Sequence, residues 1–472
     1  MPLRFHNTLT RRKDLFEPLE PGRVRLYTCG PTVHDRVHIG NFRTFLFEDV
    51  LRRYLRYSGY EVTQVMNITD VDDKIIRKAR AAGVPIGAFT AEFTRLFFED
   101  AAALGIEPAE HYPRATEYVP EMVRLAMRLR DRGVTYERDG SLYFRIASFP
   151  GYGKLSGIDL GGARDGARVD SDEYEKEDPK DFVIWKAHRE GEAWWDGELG
   201  PGRPGWHLEC SAMAMELLGE SFDIHTGGVD NVFPHHENEI AQSESATGRP
   251  FARYWLHAQH LVVGDRKMAK SVGNVLALRD LLEQGADPLA VRYLLIAAHY
   301  RSPMQFTTDA LAQASAAVGR LADLHGRLRA AAGAEEVERA GEADVAAEAG
   351  LSQRAEASFR EALDDDLNTP RALAVVFGFL REVHSRLDAG VPTAAAATWL
   401  VRLREWDRVL GVLRCSPAEV PQGIAALLRE REEARAQRDY ARSDELRKTI
   451  QERGYAVEDT PEGPRVKNLG AT

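Results

Sequence analysis

The stretch from Val24 to Ala82 restricts the fold of this chain more than any other. Val24 to Thr28 is a short apolar run that reads as a buried strand. Phe45, Leu46, Val50, Leu51, Tyr54 and Leu55 then recur near helical spacing, which predicts a helix over Phe42 to Tyr57. Glu61 to Asn67 reads as a second strand and Asp72 to Ala82 as the start of another helix. Strand, helix and strand at this spacing select a parallel, doubly wound α/β sheet.

The pattern can be followed along the rest of the chain. Phe89 to Leu104 and Thr116 to Arg132 read as helices. From about Gly133 to Gly205 short strand-like pieces such as Ser141 to Ile146 mix with Gly, Asp and Pro, as in an insertion. The α/β pattern returns near Trp206: helix Cys210 to Leu218, strand Phe222 to Thr226, helix His236 to Thr247, strand Tyr254 to Val263. Asp287 to Ala298 and Thr308 to Ala331 read as helices, Ala332 to Gly350 as a linker or frayed helix, and Leu351 to Leu413 as a helical bundle. Two helices, Ile424 to Arg438 and Ala441 to Arg453, precede Tyr455 to Lys467, where Thr460-Pro461-Glu462-Gly463 suggests a hairpin turn. The expected divisions are residues 1–132 and 206–275 for the two halves of the sheet domain and 133–205 for the insertion. Residues 276–331 form a helical region, 332–415 a helical bundle and 416–472 a small C-terminal module.

A length of 472 residues allows two to four such domains. The N-terminal Met1 to Glu20 is polar, and no run approaches bilayer length, so a cytoplasmic protein without membrane association is the simplest expectation. Three cysteines make no disulfide framework; Cys415 reads as a small buried side chain. A net charge of −11 argues against indiscriminate nucleic-acid binding, though a local basic face on such a chain can still bind phosphates.

Two motifs carry polar chemistry. His38-Ile39-Gly40-Asn41 stands where the first strand gives way to its helix, with His34 one turn earlier. Bare N–H groups and a partial positive charge at a helix start suit an anion, an imidazole can donate to it, and Asn41 can cap the helix. Taken alone, the tetrapeptide also describes a capped helix with two incidental histidines. Lys267-Met268-Ala269-Lys270-Ser271 places two ammonium groups where they can converge on a polyphosphate; alone, it also describes a solvated basic loop. A third set is Cys29, Cys210, His235 and Glu239. His235 and Glu239 are one helical turn apart, whereas His236 and Glu237 would point elsewhere. Two thiolates, an imidazole and a carboxylate suit zinc, but spacing alone leaves the metal open.

The two motifs, in this order, resemble the signatures of the class I aminoacyl-tRNA synthetases. Tyr27 through Val33, Asn67 through Lys74, Gly205 through Met213 and Phe233 through Ser243 resemble cysteinyl-tRNA synthetases, and the likeness runs through nearly the whole chain. The resemblance implies a class I Rossmann-like parallel-sheet catalytic domain with an insertion, a helical stem-contact region and bundle, and a small α+β anticodon-binding module. It implies an ATP site of His34, His38, Gly40, Asn41, Asp230, Lys267 and Lys270, with His38, Lys267 and Lys270 catalytic. One Zn2+ on Cys29, Cys210, His235 and Glu239 would bind the substrate thiolate, and Gly30, Thr69, Trp206 and His225 would line the amino-acid pocket. Arg435, Tyr440, Asp444 and Asp459 match positions around the anticodon. The implied partners are ATP with Mg2+, L-cysteine and tRNA(Cys), bound by a monomer. Zinc suits the choice of cysteine over serine, since packing separates near-isosteres weakly but a thiolate ligates zinc far better than a hydroxyl does. Substrate must then add as a fifth ligand or displace one, and Glu239 is expected to loosen.

Three departures stand out. Ala269 replaces the usual Ser of the second signature, which is expected to alter loop dynamics before chemistry. Thr226 interrupts the usual His-Gly-Gly-Gly run and is expected to put a Cβ beside the adenosine and amino-acid sites. Asn231 replaces an apolar residue. The sequence leaves two rivals: a cysteine ligase acting on an amino sugar, and a non-catalytic tRNA-binding relative.

Overall fold

The computed structural model describes residues 2–158, 178, 180–263, 266–267, 276–332, 349–413, 422–437, 439–453, 455–460 and 463–468. The chain forms two compact units. The first comprises Met1–Leu278, His299–Met304 and Ala362–Asn368; the second comprises Arg279–Ala298, Gln305–Glu361 and Thr369–Thr472.

The first unit opens with a hairpin, β1 (Arg4–Asn7) and β2 (Arg12–Leu15). Strand β3 (Arg23–Thr28) leads into helix α1 (Ile39–Tyr57), which returns to β4 (Glu61–Met66) alongside β3. Helix α1 starts three residues before its predicted start, and Asn41 lies inside it. The cap is His38, whose Nδ1 accepts from the Asn41 N–H at 3.2 Å, so the capping role expected of Asn41 passes to His38. Helices α2 (Asp73–Ala82), α3 (Ile86–Ala103) and α4 (Val119–Asp131) follow. The Asp72 carboxylate accepts from the Ile75 N–H and caps α2.

The second half of the sheet is helix α5 (Trp206–Leu218), strand β9 (Phe222–Gly228), helix α6 (Glu237–Thr247) and strand β10 (Ala252–Ala258). Between the halves, β5 (Thr135–Arg138), β6 (Ser141–Phe144), β7 (Phe182–Ala187) and β8 (Gly202–Pro204) form a separate antiparallel sheet in that order. The central sheet runs β10-β9-β3-β4, parallel throughout. Its strand order reverses between β3 and β9, and in such sheets ligands bind beyond the carboxyl ends of the strands at that point. Other predicted boundaries change as well: α3 begins at Ile86 rather than Phe89 and α4 at Val119 rather than Thr116. Helix α5 begins at Trp206 rather than Cys210, and the strand expected over Tyr254 to Val263 breaks into β10 and a separate Leu261–Val263.

Phe42, Leu46, Val50 and Leu51 of α1 are buried on one side of the sheet. Tyr27 and Trp255 share a core with Met122 and Leu129 of α4, Leu208 and Met213 of α5 and Ile240 of α6 on the other. Each large apolar side chain enclosed in this way contributes about 1.5–3 kcal/mol. The segment Ala362–Asn368 is anchored by the fully buried Asp366, which accepts from Tyr300 at 2.6 Å and from the His6 N–H at 2.8 Å.

The second unit is helical. Leu278–Glu283, Pro288–Ile296, Thr308–Ala332, Ala349–Asp364, Thr369–Ala389 and Thr393–Leu410 are its main described helices before residue 414. Trp406 stacks on Phe359 and donates from its indole to Glu356, and the buried Arg292 donates to the Leu410 carbonyl at 2.7 Å. At the C-terminal end, Gln422–Ala436 and Tyr440–Glu452 pack with a hairpin, Tyr455–Thr460 and Gly463–Asn468, around Ile424, Ile450 and Val457. Most of the predicted linker, the Pro461-Glu462 turn and Cys415 lie outside the described residues.

Candidate active site and metal centre

Cys29 is the first residue beyond β3, and its N–H donates to the Thr226 carbonyl of β9 at 3.2 Å, so the reversal point begins at a thiol. Gly30 follows because nothing larger fits: a Cβ there would lie 1.8 Å from the Asn67 carbonyl oxygen. Its N–H donates to Asn67 Oδ1 at 2.9 Å; Asn67 donates to Thr69 Oγ1, which in turn donates to Glu209 of α5. Glu209 is buried; burial and then repulsion from Cys210, Asp72 and Asp70 push its carboxyl well up.

The early start of α5 puts Trp206 one turn before Cys210. The indole stacks on the His235 ring at 4.1 Å and is 38% exposed, so it covers the buried group from the open side. Donor atoms of Cys29, Cys210, His235 and Glu239 all lie within 4.8 Å of one another, and all four residues are buried. Nδ1 of His235 lies 2.9 Å from Nδ1 of His207, which turns Nε2 toward the group. That Nε2 lies 3.0 Å from Glu239 Oε1, yet Oε1 has no aligned hydrogen-bond donor. An enclosed carboxylate oxygen without a donor, beside an imidazole and two thiols, fits a soft divalent cation.

The four groups set one another's charge, and a bound cation would take the place of the protons held on His235 and Cys29. Burial pushes Cys29 up, while the hydrogen bond from Cys29 holds Cys210 down at about 6 against burial. Burial would lower His235, but Glu239 and Cys210 outweigh it and hold the ring at about 10. Burial would raise Glu239, but His225 and His235 hold it at about 2. Nε2 of His225 lies 2.9 Å from Glu239 Oε2, and its ring stacks on Trp255 at 4.5 Å.

Thr226 does not enter this pocket. Successive residues of a strand face opposite sides, so His225 and Gly227 face α6 while Thr226 faces α1. Its hydroxyl donates to Oε1 of the buried Glu48 at 2.8 Å. Gly227 has no room for a side chain: a Cβ would lie 2.8 Å from Asn231 Nδ2 and 2.9 Å from His236 Cε1. The intrusion expected of Thr226 on the side of the Cys29–Cys210–His235–Glu239 set is therefore corrected, because the pleat turns its side chain away.

The other expected residues are placed less closely. His34 and His38 are half-buried around the start of α1, Gly40 is half-buried in its first turn, and Asn41 is exposed. Asp230 pairs with His260 at 3.2 Å. Lys267 lies on a strand paired with Val262; its side chain, Ala269 and Lys270 lie outside the described residues. At the far end Arg435, Asp444 and Tyr440 are exposed, Tyr440 by 63% at the start of its helix, and the Asp459 side chain lies outside the described residues. Sequence reasoning missed Glu48, His207, Glu209, His257 and Thr8, of which His257 left a local signal as a polar residue amid Tyr254-Trp255-Leu256 and Ala258. His236, expected to point elsewhere, instead lies 3.3 Å from the Cys29 sulfur.

A parallel sheet split at a reversal point, an inserted antiparallel sheet and a helical second unit are the architecture of a class I aminoacyl-tRNA synthetase, and the family match agrees. The family described as tRNA synthetases class I (C) catalytic domain matches residues 15–316, a DALR domain matches 358–414, and the cysteinyl-tRNA ligase anticodon binding domain matches 418–465. The chain is 47% identical over 473 residues to a cysteine–tRNA ligase of Chlamydia pneumoniae, covering 99% of this chain and 98% of that one. It is 48% identical over 478 residues to one from Solibacter usitatus (strain Ellin6076), covering 99% and 100%. The chain belongs to the cysteine–tRNA ligase family. In fold it is similar to a Mycobacterium tuberculosis methionyl-tRNA synthetase in complex with methionyl-adenylate, with a TM-score of 0.58 at 16% identity over 83% of this chain and 90% of that one. No helix among the described residues is long and apolar enough to cross a membrane.

Proposed function

We propose that this protein joins L-cysteine to tRNA(Cys) through a cysteinyl-adenylate, and that it recognises cysteine by its sulfur. The observation that carries the reading is the enclosed set of Cys29, Cys210, His235 and Glu239 at the reversal point of the sheet. A zinc ion on these four would supply a soft Lewis acid that prefers a thiolate to a hydroxyl. Trp206 and His225 touch this set through His235 and Glu239, and with Thr69 and Gly30 they would orient the amino acid.

In the proposed reaction the cysteine carboxylate attacks the ATP α-phosphorus in line and pyrophosphate leaves. A terminal ribose hydroxyl of the tRNA then attacks the acyl carbon and AMP leaves. No protein nucleophile is needed; positioning and charge stabilisation carry the rate. His34, His38, Gly40 and Asn41 at the start of α1, with Asp230, would hold ATP, which would bring Mg2+ with it. Lys267 and Lys270 would stabilise charge growing on the pyrophosphate. Arg435, Tyr440, Asp444 and Asp459 would read the anticodon, and the protein would act as a cytoplasmic monomer.

The test is cysteine-dependent ATP–pyrophosphate exchange, cysteine transfer to tRNA(Cys) and metal content on one preparation. Cys210→Ser should lose zinc and cysteine activation together, and Lys270→Ala should slow exchange with zinc unchanged. Transfer to a small amine in place of tRNA, or full exchange by zinc-free protein, would overturn the reading.

A further inference from the structure

Cys29 and Glu239 belong to a second buried quartet as well. Donor atoms of Cys29, His225, His236 and Glu239 also lie within 4.8 Å of one another. What separates the two quartets is the state of His236 Nε2: a lone pair there can bind a metal, whereas an N–H cannot. That atom lies 3.3 Å from Cys29 Sγ. The other ring nitrogen of His236, Nδ1, lies 2.8 Å from His257 Nε2, and His257 Nδ1 lies 2.7 Å from Thr8 Oγ1. Three contacts therefore link a hydroxyl, two imidazoles and a sulfur in a line. The His236 ring is fully enclosed and His257 is buried.

A neutral imidazole has one N–H and one lone pair, so the contacts must share one direction. The sulfur end chooses it. A metal-bound thiolate can only accept, and the Thr8 hydroxyl, which can donate or accept, has the proton that this direction requires. Thr8 then donates to His257 Nδ1, His257 Nε2–H donates to His236 Nδ1, and His236 Nε2–H donates to the Cys29 sulfur. Three hydrogens serve three contacts with none left over.

We propose that Thr8 and His257 are positioning residues of the metal centre: their hydrogen-bonded line holds a proton on His236 Nε2, directs it at the Cys29 sulfur and keeps His236 off the metal. The ligand set is thereby confined to Cys29, Cys210, His235 and Glu239. This inference rests on the four-ligand reading proposed above and adds what selects it. Groups one step removed from the metal commonly orient and tune its ligands in this manner.

The experiment compares the full-length protein with its Thr8→Val, Thr8→Ala and Thr8→Ser variants. Nitrogen-15 NMR of histidine-labelled protein reads the proton on His236 Nε2, with and without zinc, and chelator competition reads zinc affinity. The parent should carry the proton on Nε2 in both states. Thr8→Val and Thr8→Ala should shift it at least partly to Nδ1 and weaken zinc binding roughly 10–100-fold, while Thr8→Ser restores both. An unprotonated Nε2 in the parent overturns the proposal, as do a valine or alanine variant matching the parent in both readouts and a serine variant that rescues neither. Failure of the parent to bind zinc sinks the four-ligand reading alone, because the metal-free spectrum still decides the direction of the line. Should the valine variant not fold, the alanine and serine variants carry the same comparison.

Discussion

Glu48 shows how one residue couples folding to pH. It lies on α1, fully enclosed, with Oε1 accepting from Thr226 and Oε2 without a partner. Burial pushes its carboxyl from 4.5 to about 8, only partly opposed by the Thr226 hydrogen bond. The unfolded chain sheds this proton near its ordinary value, whereas the folded chain keeps it to about 8. The folded state therefore binds more protons in between, and the Glu48 contribution to stability falls as pH rises across that window. A shift of this size is on the order of 5 kcal/mol. Glu48→Gln, which keeps the shape without the titration, should gain melting temperature relative to the parent as pH rises from 5 to 8. Parallel melting curves for the two proteins over that range would refute the assignment.

At the scale of elements, β9 serves two faces. His225 and Gly227 face the side of the candidate ligands and Thr226 faces α1, so one strand serves both that group and the buried Glu48. The pattern of apolar residues was enough to predict a strand there. It was not enough to say that Thr226 is harmless, since that depends on which face is the pocket. Similarly, Trp206 and Cys210 were visible as separate residues, but the start of α5 at Trp206 is what sets the indole over His235. Gly227→Ala should push the His236 ring and Asn231, costing about 1–3 kcal/mol of stability by overpacking. It should reduce cysteine activation more than ATP binding. Kinetics for cysteine and ATP, run beside thermal melts, would check this; equal loss for both substrates would point to general unfolding.

Across the whole molecule, a net charge of −11 leaves RNA recognition to local features. The C-terminal module offers an exposed ring, Tyr440, after the Asp439 cap, which accepts from the Arg442 N–H at 3.0 Å. Stacking of one base on such a ring is worth about 1–3 kcal/mol. Tyr440→Ala should therefore raise the tRNA KM in aminoacylation at least several-fold and leave ATP–pyrophosphate exchange, which needs no RNA, unchanged. An unaltered tRNA KM would remove Tyr440 from the anticodon contacts.

The order of strands and helices, the presence of two signature motifs and the candidate ligands Cys29, Cys210, His235 and Glu239 were legible in the amino-acid order, because periodicity and residue chemistry are local properties. The overlap of two ligand quartets, the Thr8–His257–His236 line and the partner of Thr226 were not. Thr8 and His257 are separated by 249 positions, and Glu48 and Thr226 by 178. No spacing rule reaches that far: the parallel sheet brings these residues together by aligning strands distant in the chain, and its pleat decides which side chains meet.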